Sequence, residues 1–286
     1  MNYLRGDLRD QLTYVGQDVV RTGLVVGSGG NLSARLPDGD SCWVTAGGTW
    51  LDRLDRSSFV RVCISDGSVL TDDPFHSDDS PYPDGSTRQD GTTLPAGTAL
   101  PAPRGPGAGG RTGSVTMPAA AAAAADSDSA DAMPPGGRSR PAILPTSEVE
   151  LHLATYRARP DVNAIVHLHP QTVLLLDALD EQVRLVTTDH GFYLRRVARV
   201  PFRSPGTTEL AELAADASRD GTNCLVLSRH GCSVLADSVE LAHKRAANLE
   251  EAARLTYRAL AAGRLADLPE LPAEFLARIA DGATSV

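Results

Sequence analysis

Two histidines one residue apart close the apolar run Val162-Asn163-Ala164-Ile165-Val166-His167-Leu168-His169-Pro170. In a strand over 162–168, side chains two apart share a face, so His167 and His169 project together from its C-terminal end. Paired imidazoles suit a divalent metal, which needs three or four N, S or O ligands in a zinc-type site. A third imidazole is available at His230, which ends the apolar strand Cys224–Ser228 and precedes Gly231, much as His169 ends its own strand. Glu148, in the first turn of the preceding helix, can supply a carboxylate. His190, in the polar segment Thr187-Thr188-Asp189-His190-Gly191, is the rival for the third imidazole. His152 reads as a surface group, with a supporting role behind Glu148 as the alternative. His76 and His243 read as solvated.

A second chemistry is suggested by small-residue turns. Gly29-Gly30-Asn31 and Gly47-Gly48 expose backbone N–H groups, and Thr146-Ser147 stands at a helix N-terminus, where amides and the helix dipole attract anions. Together they can cradle a phosphate.

The elements that must position these groups follow from periodicity. Leu8, Leu12, Val15 and Val19 recur at helical spacing, which predicts a helix from about Leu4 to Thr22 ended by Gly23. Strands are expected at Ala34 and its neighbours, at Cys42-Trp43-Val44-Thr45, and at Phe59-Val60-Arg61-Val62-Cys63-Ile64. Ser147 with Glu150 three residues on has the pattern of a capping box that opens a helix to about Ala158. Further helices are expected over Thr172–Leu179, Thr208–Ala217 and Val239–Ala262, with strands at Arg195–Pro201, Cys224–Ser228 and Ser233–Ala236. Strands and helices interleave, so the class is α/β or α+β around one sheet, in three layers. Residues 1–72 and 141–286 form one domain. Between them, 73–140 is rich in Pro, Gly, Ser, Thr, Asp and Ala and reads as a disordered insertion.

Composition excludes several classes. A net charge of −9 and a pI near 5.2 oppose a nucleic-acid footprint. No apolar run long enough for a membrane span and no leader segment are evident. Four cysteines, Cys42, Cys63, Cys224 and Cys232, lack CxxC spacing and read as reduced core residues of a cytoplasmic protein. Among 27 basic residues the single lysine is Lys244, which weighs against a lysine Schiff base.

Taken in order, Gly30-Asn31-Leu32-Ser33-Ala34-Arg35, Pro145-Thr146-Ser147-Glu148, Asn163-Ala164-Ile165-Val166-His167-Leu168-His169, Pro205-Gly206-Thr207 and Arg229-His230-Gly231 resemble the class II aldolase/adducin family, on the side of its L-fuculose-1-phosphate aldolases. The resemblance implies a three-layer αβα fold with a central, mostly antiparallel sheet. It implies Zn2+, or another divalent metal, on Glu148, His167, His169 and His230, with Glu148 as catalytic acid/base. It implies a phosphate site at Asn31, Gly30, Gly47, Gly48, Thr146 and Ser147, Gly47 standing where aldolases often carry a hydroxyl residue.

The activity so implied is cleavage of a ketose 1-phosphate, such as L-fuculose 1-phosphate or a 5-deoxypentulose 1-phosphate, to dihydroxyacetone phosphate and an aldehyde. Also implied is a homotetramer with sites between subunits, where a neighbour's tyrosine donates a proton. No tyrosine falls at the aligned position, so either Tyr193 or His190 substitutes or the second half of the chemistry differs. The family also contains sugar-phosphate 4-epimerases, sugar-acid-phosphate decarboxylases, a methylthioribulose-phosphate dehydratase and the adducin scaffold, which lacks the metal ligands.

Overall fold

The computed structural model describes residues 6–71 and 143–280. The expected disordered insertion at 73–140, and His76 with it, lies outside the described residues. The chain runs α1 (Leu8–Arg21), β1 (Gly30–Arg35), β2 (Ser41–Thr45), β3 (Phe59–Cys63) and β4 (Val69–Leu70), then α2 (Val149–Ala158), β5 (Ala164–Leu168) and α3 (Gln171–Ala178). It continues with α4 (Thr188–Leu194), β6 (Val197–Val200), α5 (Thr208–Ser218), β7 (Cys224–Leu227), β8 (Gly231–Ala236), α6 (Val239–Ala261) and α7 (Ala273–Ala280).

The eight strands form one sheet in the order β4-β3-β2-β1-β5-β8-β7-β6. Every pairing is antiparallel except β6 with β7. Period-two alternation sorts the side chains into two cores. Leu32, Ala34, Val166, Leu168 and Val234 face a layer built with Leu12, Val15, Leu176 and Leu249 of α1, α3 and α6. Ile165 and Leu235 face the opposite side, where Leu153 and Tyr156 of α2 pack, and Leu225 and Leu227 meet Leu210 and Ala214 of α5. The three-layer architecture expected from the sequence is therefore present. None of the described helices is long and apolar enough to cross a membrane.

Alternation also decides where the chemistry goes. His167 shares the α2 side with Ile165, and its strand partners there are Asn31 on β1 and Ser233 on β8. A polar row thus crosses three central strands directly beneath the N-terminus of α2. Tight backbone approach makes this possible at two glycines. Gly30 has φ +125°, and a Cβ there would lie 2.4 Å from the His167 carbonyl oxygen. A Cβ on Gly231 would lie 2.4 Å from the Leu168 carbonyl and 2.7 Å from the His169 ring. Gly231→Ala is accordingly expected to cost about 3 kcal/mol, the upper range for overpacking. Urea denaturation reads this directly, and a variant within 0.5 kcal/mol of wild type, roughly the scatter of neutral surface changes, would show that the approach is looser than described.

The structure corrects four expectations. Ser147 does not cap α2: Glu148 holds the N-cap position without a side-chain capping bond, and Glu150 pairs with Arg157 at 2.5 Å. The segment after Thr187 is a helix, α4, because the Thr187 hydroxyl accepts the His190 N–H at 3.3 Å as a cap. His152 is fully buried rather than a surface group. His243 is largely enclosed between α6 and α1, with Nε2 3.1 Å from Asp18 Oδ2. Helix α7 had no counterpart in the sequence reading.

Candidate metal centre

Glu148 enters from the N-cap of α2, His167 from the end of β5, His169 from the residue after it, and His230 from the β7–β8 turn. One ligand atom from each lies within 4.8 Å of all the others. His167 Nε2 is 3.2 Å from Glu148 Oε2 and 3.1 Å from His169 Nε2, and His230 Nε2 is 3.0 Å from Glu148 Oε1. A tetrahedron with metal–ligand bonds of about 2.1 Å has edges of about 3.4 Å, so these separations suit a shared cation.

Two further observations fit the same occupant. Oε1 of Glu148 is buried without a hydrogen-bond donor, since its contact with His230 has the distance but not the angles of a hydrogen bond. Two imidazole nitrogens facing each other at 3.1 Å need a proton or a cation between their lone pairs. Burial pushes the Glu148 pKa upward, yet the close His167 and His230 rings outweigh it and hold the carboxyl far below the usual range. Burial, then the neighbouring His167 and His230, lowers His169 to about 4, which favours the neutral, ligating ring. The donor set of three imidazoles and one carboxylate fits a divalent cation.

Buried acids anchor the turns that carry two of these ligands. Arg229, with φ +58°, donates its N–H to Asp177 Oδ2 at 2.8 Å, and Ser228 Oγ bonds Oδ1 at 3.1 Å, which fixes the turn before His230. Glu250 of α6 accepts from the Thr172 hydroxyl at 2.6 Å and the Val173 N–H at 3.1 Å, holding the start of α3 just after His169-Pro170.

Glu148 and His169 also line a cavity of about 200 Å³, together with Gly30, Gly48, Thr146, Ser147 and Ser28. The cation cluster and the expected phosphate cradle therefore share one space. Within the cradle the groups differ in what they can still bind. Gly47 N–H is committed to the Leu144 carbonyl at 3.0 Å, and Thr146 N–H to Thr45 at 2.9 Å. The Asn31 amide is engaged by Glu148 and His152. Gly48 N–H and the Ser147 amide and hydroxyl have no hydrogen-bond partner among the described residues, so they are the donors open to an anion. Ser28, a member of the glycine turn with no site role expected from the sequence, also lines the cavity.

His190 and Tyr193 are elsewhere, on α4. His190 is fully buried, its Nδ1 accepts the Val186 N–H at 3.2 Å, and its Nε2 is 3.5 Å from Glu251. His190 thus stands outside the cluster of Glu148, His167, His169 and His230. Tyr193 is half-buried against the α6 layer.

His152 is the supporting residue whose role the sequence reading ranked second. Its Nδ1 is 2.6 Å from Ser33 Oγ, and its Nε2 meets Asn31 Oδ1. Burial lowers its pKa to about 3. An unfolded chain takes up this proton near pH 6.5, so the neutral ring's contribution is complete above that pH and is lost as pH falls toward 3. At about 1.4 kcal/mol per pH unit, metal-free wild type should lose about 1.5 kcal/mol more than metal-free His152→Gln between pH 6.5 and 5. Parallel urea titrations at the two pH values test this, and equal losses would contradict it.

A three-layer α/β scaffold carries a His3Glu cluster suited to a cation beside a cavity lined by open backbone and hydroxyl donors. The chain belongs to the family described as Class II Aldolase and Adducin N-terminal domain, which it matches over residues 10–88 and 116–257. It is 34% identical over 113 residues to an L-fuculose phosphate aldolase of Methanococcus vannielii, a match covering 40% of this chain and 61% of that protein. It is 32% identical over 277 residues to the 3-oxo-tetronate 4-phosphate decarboxylase of Escherichia coli K12, covering 91% and 94% of the two chains. Among solved structures, an L-fuculose 1-phosphate aldolase superimposes with a TM-score of 0.66 at 21% identity, covering 98% of this chain and 97% of that one. In sequence, the chain spans less than two thirds of the length of the curated L-fuculose phosphate aldolases it matches.

Proposed function

We propose that this protein is a zinc-dependent aldolase that cleaves a ketose 1-phosphate, such as L-fuculose 1-phosphate or a 5-deoxypentulose 1-phosphate, to dihydroxyacetone phosphate and an aldehyde. The observation that carries the reading is the opening of one cavity onto both the His3Glu cluster and the unengaged Gly48 and Ser147 donors. Its support is the resemblance to L-fuculose phosphate aldolases and to a 5-deoxy-D-ribulose 1-phosphate aldolase of Bacillus thuringiensis.

His167, His169, His230 and Glu148 hold the cation, and three imidazoles with one carboxylate favour zinc. When bound, the ion supplies positive charge that withdraws electrons from the substrate's carbonyl and hydroxyl oxygens. Gly48, Ser147 and the N-terminus of α2 bind the phosphate and set the distance from it to the reacting carbons. Breaking C3–C4 releases the aldehyde once the C4 hydroxyl has given up its proton, and leaves the electron pair on C3 as an enediolate. Glu148, a carboxylate at rest, takes up a proton from solvent and delivers it to that carbon, completing dihydroxyacetone phosphate. Lys244 offers no Schiff-base route, since it lies half-exposed on α6 and pairs with Glu240 at 2.9 Å. Within a homotetramer with sites between subunits, we assign the proton exchange at the departing aldehyde to Tyr193, which keeps part of its side chain at the surface, whereas His190 does not.

A second reading is favoured by the near full-length match to the decarboxylase. Loss of CO2 from a 3-oxo acid phosphate leaves the same kind of enediolate, to be protonated by the same carboxylate. A panel of ketose 1-phosphates with a coupled assay for dihydroxyacetone phosphate, run beside 3-oxo-tetronate 4-phosphate with CO2 detection, separates the two. Aldehyde release from at least one ketose 1-phosphate supports the aldolase, and CO2 release without any aldehyde from the panel replaces it with the decarboxylase.

A further inference from the structure

Behind Glu148 a line of polar groups runs from Asn31, at the cavity wall, into an apolar layer. Tyr156 Oη is 2.8 Å from Ser33 Oγ, Ser33 Oγ is 2.6 Å from His152 Nδ1, His152 Nε2 meets Asn31 Oδ1, and Asn31 Nδ2 is 2.9 Å from Glu148 Oε2. Ser33, His152 and Tyr156 are completely buried, and Tyr156 packs among Leu153, Ile165, Val44 and Leu235.

Chemistry dictates the direction of every bond. The Glu148 carboxylate only accepts, so the Asn31 group facing it is the NH2, and Asn31 Oδ1 therefore faces His152 as an acceptor. His152 Nε2 must then carry the ring proton. In a neutral ring Nδ1 is left as an acceptor, which turns the Ser33 hydroxyl toward it and leaves Ser33 Oγ to accept from Tyr156. All four donors point the same way, from Tyr156 to Glu148, an arrangement in which each bond polarises the next.

We propose that this one-way hydrogen-bond train, Tyr156 to Ser33 to His152 to Asn31, fixes the rotation of the Glu148 carboxylate, and that His152 is thereby a positioning residue for the proton delivery to carbon. The proposal rests on the reading of Glu148 as acid/base. Oε2 is held by Asn31, whereas Oε1 has no donor and faces His230 within the cluster. Without the train the carboxylate can rotate and exchange its oxygens. A buried imidazole and phenol would otherwise be an expensive way to fill a core position, and neither touches the cavity themselves.

The test has two independent readouts on the full-length protein. In 15N-histidine-labelled metal-free protein, the resonances that vanish in His152→Gln are expected to show a neutral ring protonated on Nε2, and protonation on Nδ1 would overturn the train. With L-fuculose 1-phosphate as probe, His152→Leu is expected to retain its metal content and KM within twofold while kcat falls about 10–100-fold, the usual effect of losing such a supporting bond. His152→Gln, which keeps a donor, should recover most of the loss. Unchanged kcat in His152→Leu, or equal losses in both variants accompanied by loss of metal, would reduce His152 to a structural role and overturn the proposal. If His152→Leu does not fold, the tautomer and His152→Gln turnover still decide it. Undiminished turnover in Glu148→Gln would instead remove the acid/base reading, an outcome distinct from failure of the His152 variants alone.

Discussion

Glu148→Gln is expected to lower turnover of the cleaved ketose phosphate by about 10²–10⁴-fold, the range that a positioned general acid or base contributes. Glutamine keeps the size of the side chain and an oxygen for the Asn31 amide, so the train behind it persists. What disappears is the group that can take up and deliver the proton, together with the whole negative charge that faces His167 and His230. The carboxyl at this position is held far below the usual range by those histidines, despite burial that acts the other way. Substitution therefore removes a group that the fold keeps ionised at neutral pH. Metal content, read by elemental analysis, should remain with the three imidazoles, while KM changes little because the phosphate donors Gly48 and Ser147 are untouched. Full turnover with normal metal content would refute the assignment, and loss of the metal along with turnover would show that Glu148 serves the cation alone.

The metal arm of the site was legible because its signals are local. His167 and His169 are two apart at the end of an apolar run, and His230 closes another strand before a glycine, so one-dimensional patterns place all three at strand ends. The sheet then needs only correct pairing to bring β5 beside β8. Of the supporting train, the sequence offers His152 behind Glu148 as an alternative but not its links to Ser33 and Tyr156. Glu148, His152 and Tyr156 stand four residues apart on α2, which stacks them on one helix face, and Asn31 and Ser33 are two apart on β1, which gives them one sheet face. The missing link was which face of α2 turns inward. Its apolar residues Leu151 and Leu153 do not mark a single stripe, and both are buried.

Other losses have the same non-local origin. Thr187 through Gly191 has loop composition, yet Thr187 caps a helix whose Gly191 is closely packed by Leu271, Phe275 and Ile279 from the far end of the chain. Likewise, which cradle amides stay open for an anion depends on the bonds that Gly47 makes to Leu144 and Thr146 to Thr45. Glycine content in the sequence does not encode those pairings.

Removing the cation should have the other large effect, and it separates folding from chemistry. Anything that binds the native state alone stabilises it by mass action, by about 4 kcal/mol when the free ligand is a thousandfold above its dissociation constant. For a domain of this size that corresponds to a fall in Tm of about 10 °C on chelation, with release of dihydroxyacetone phosphate abolished. Readdition of zinc should restore both, and a titration of other divalent ions against the same two readouts ranks them. His230→Gln is expected to behave as the chelated protein does whether or not zinc is added. His243→Gln, whose ring lies against Asp18 between α1 and α6, should keep the full zinc-dependent shift. The contrast matters because both residues are partly enclosed histidines, and among the described residues only the cluster on β5, α2 and the β7–β8 turn has a buried carboxylate oxygen without a donor. A chelator that moves neither Tm nor turnover would mean that the inward-facing imidazoles are held by protons instead, and the aldolase reading would fall with the metal.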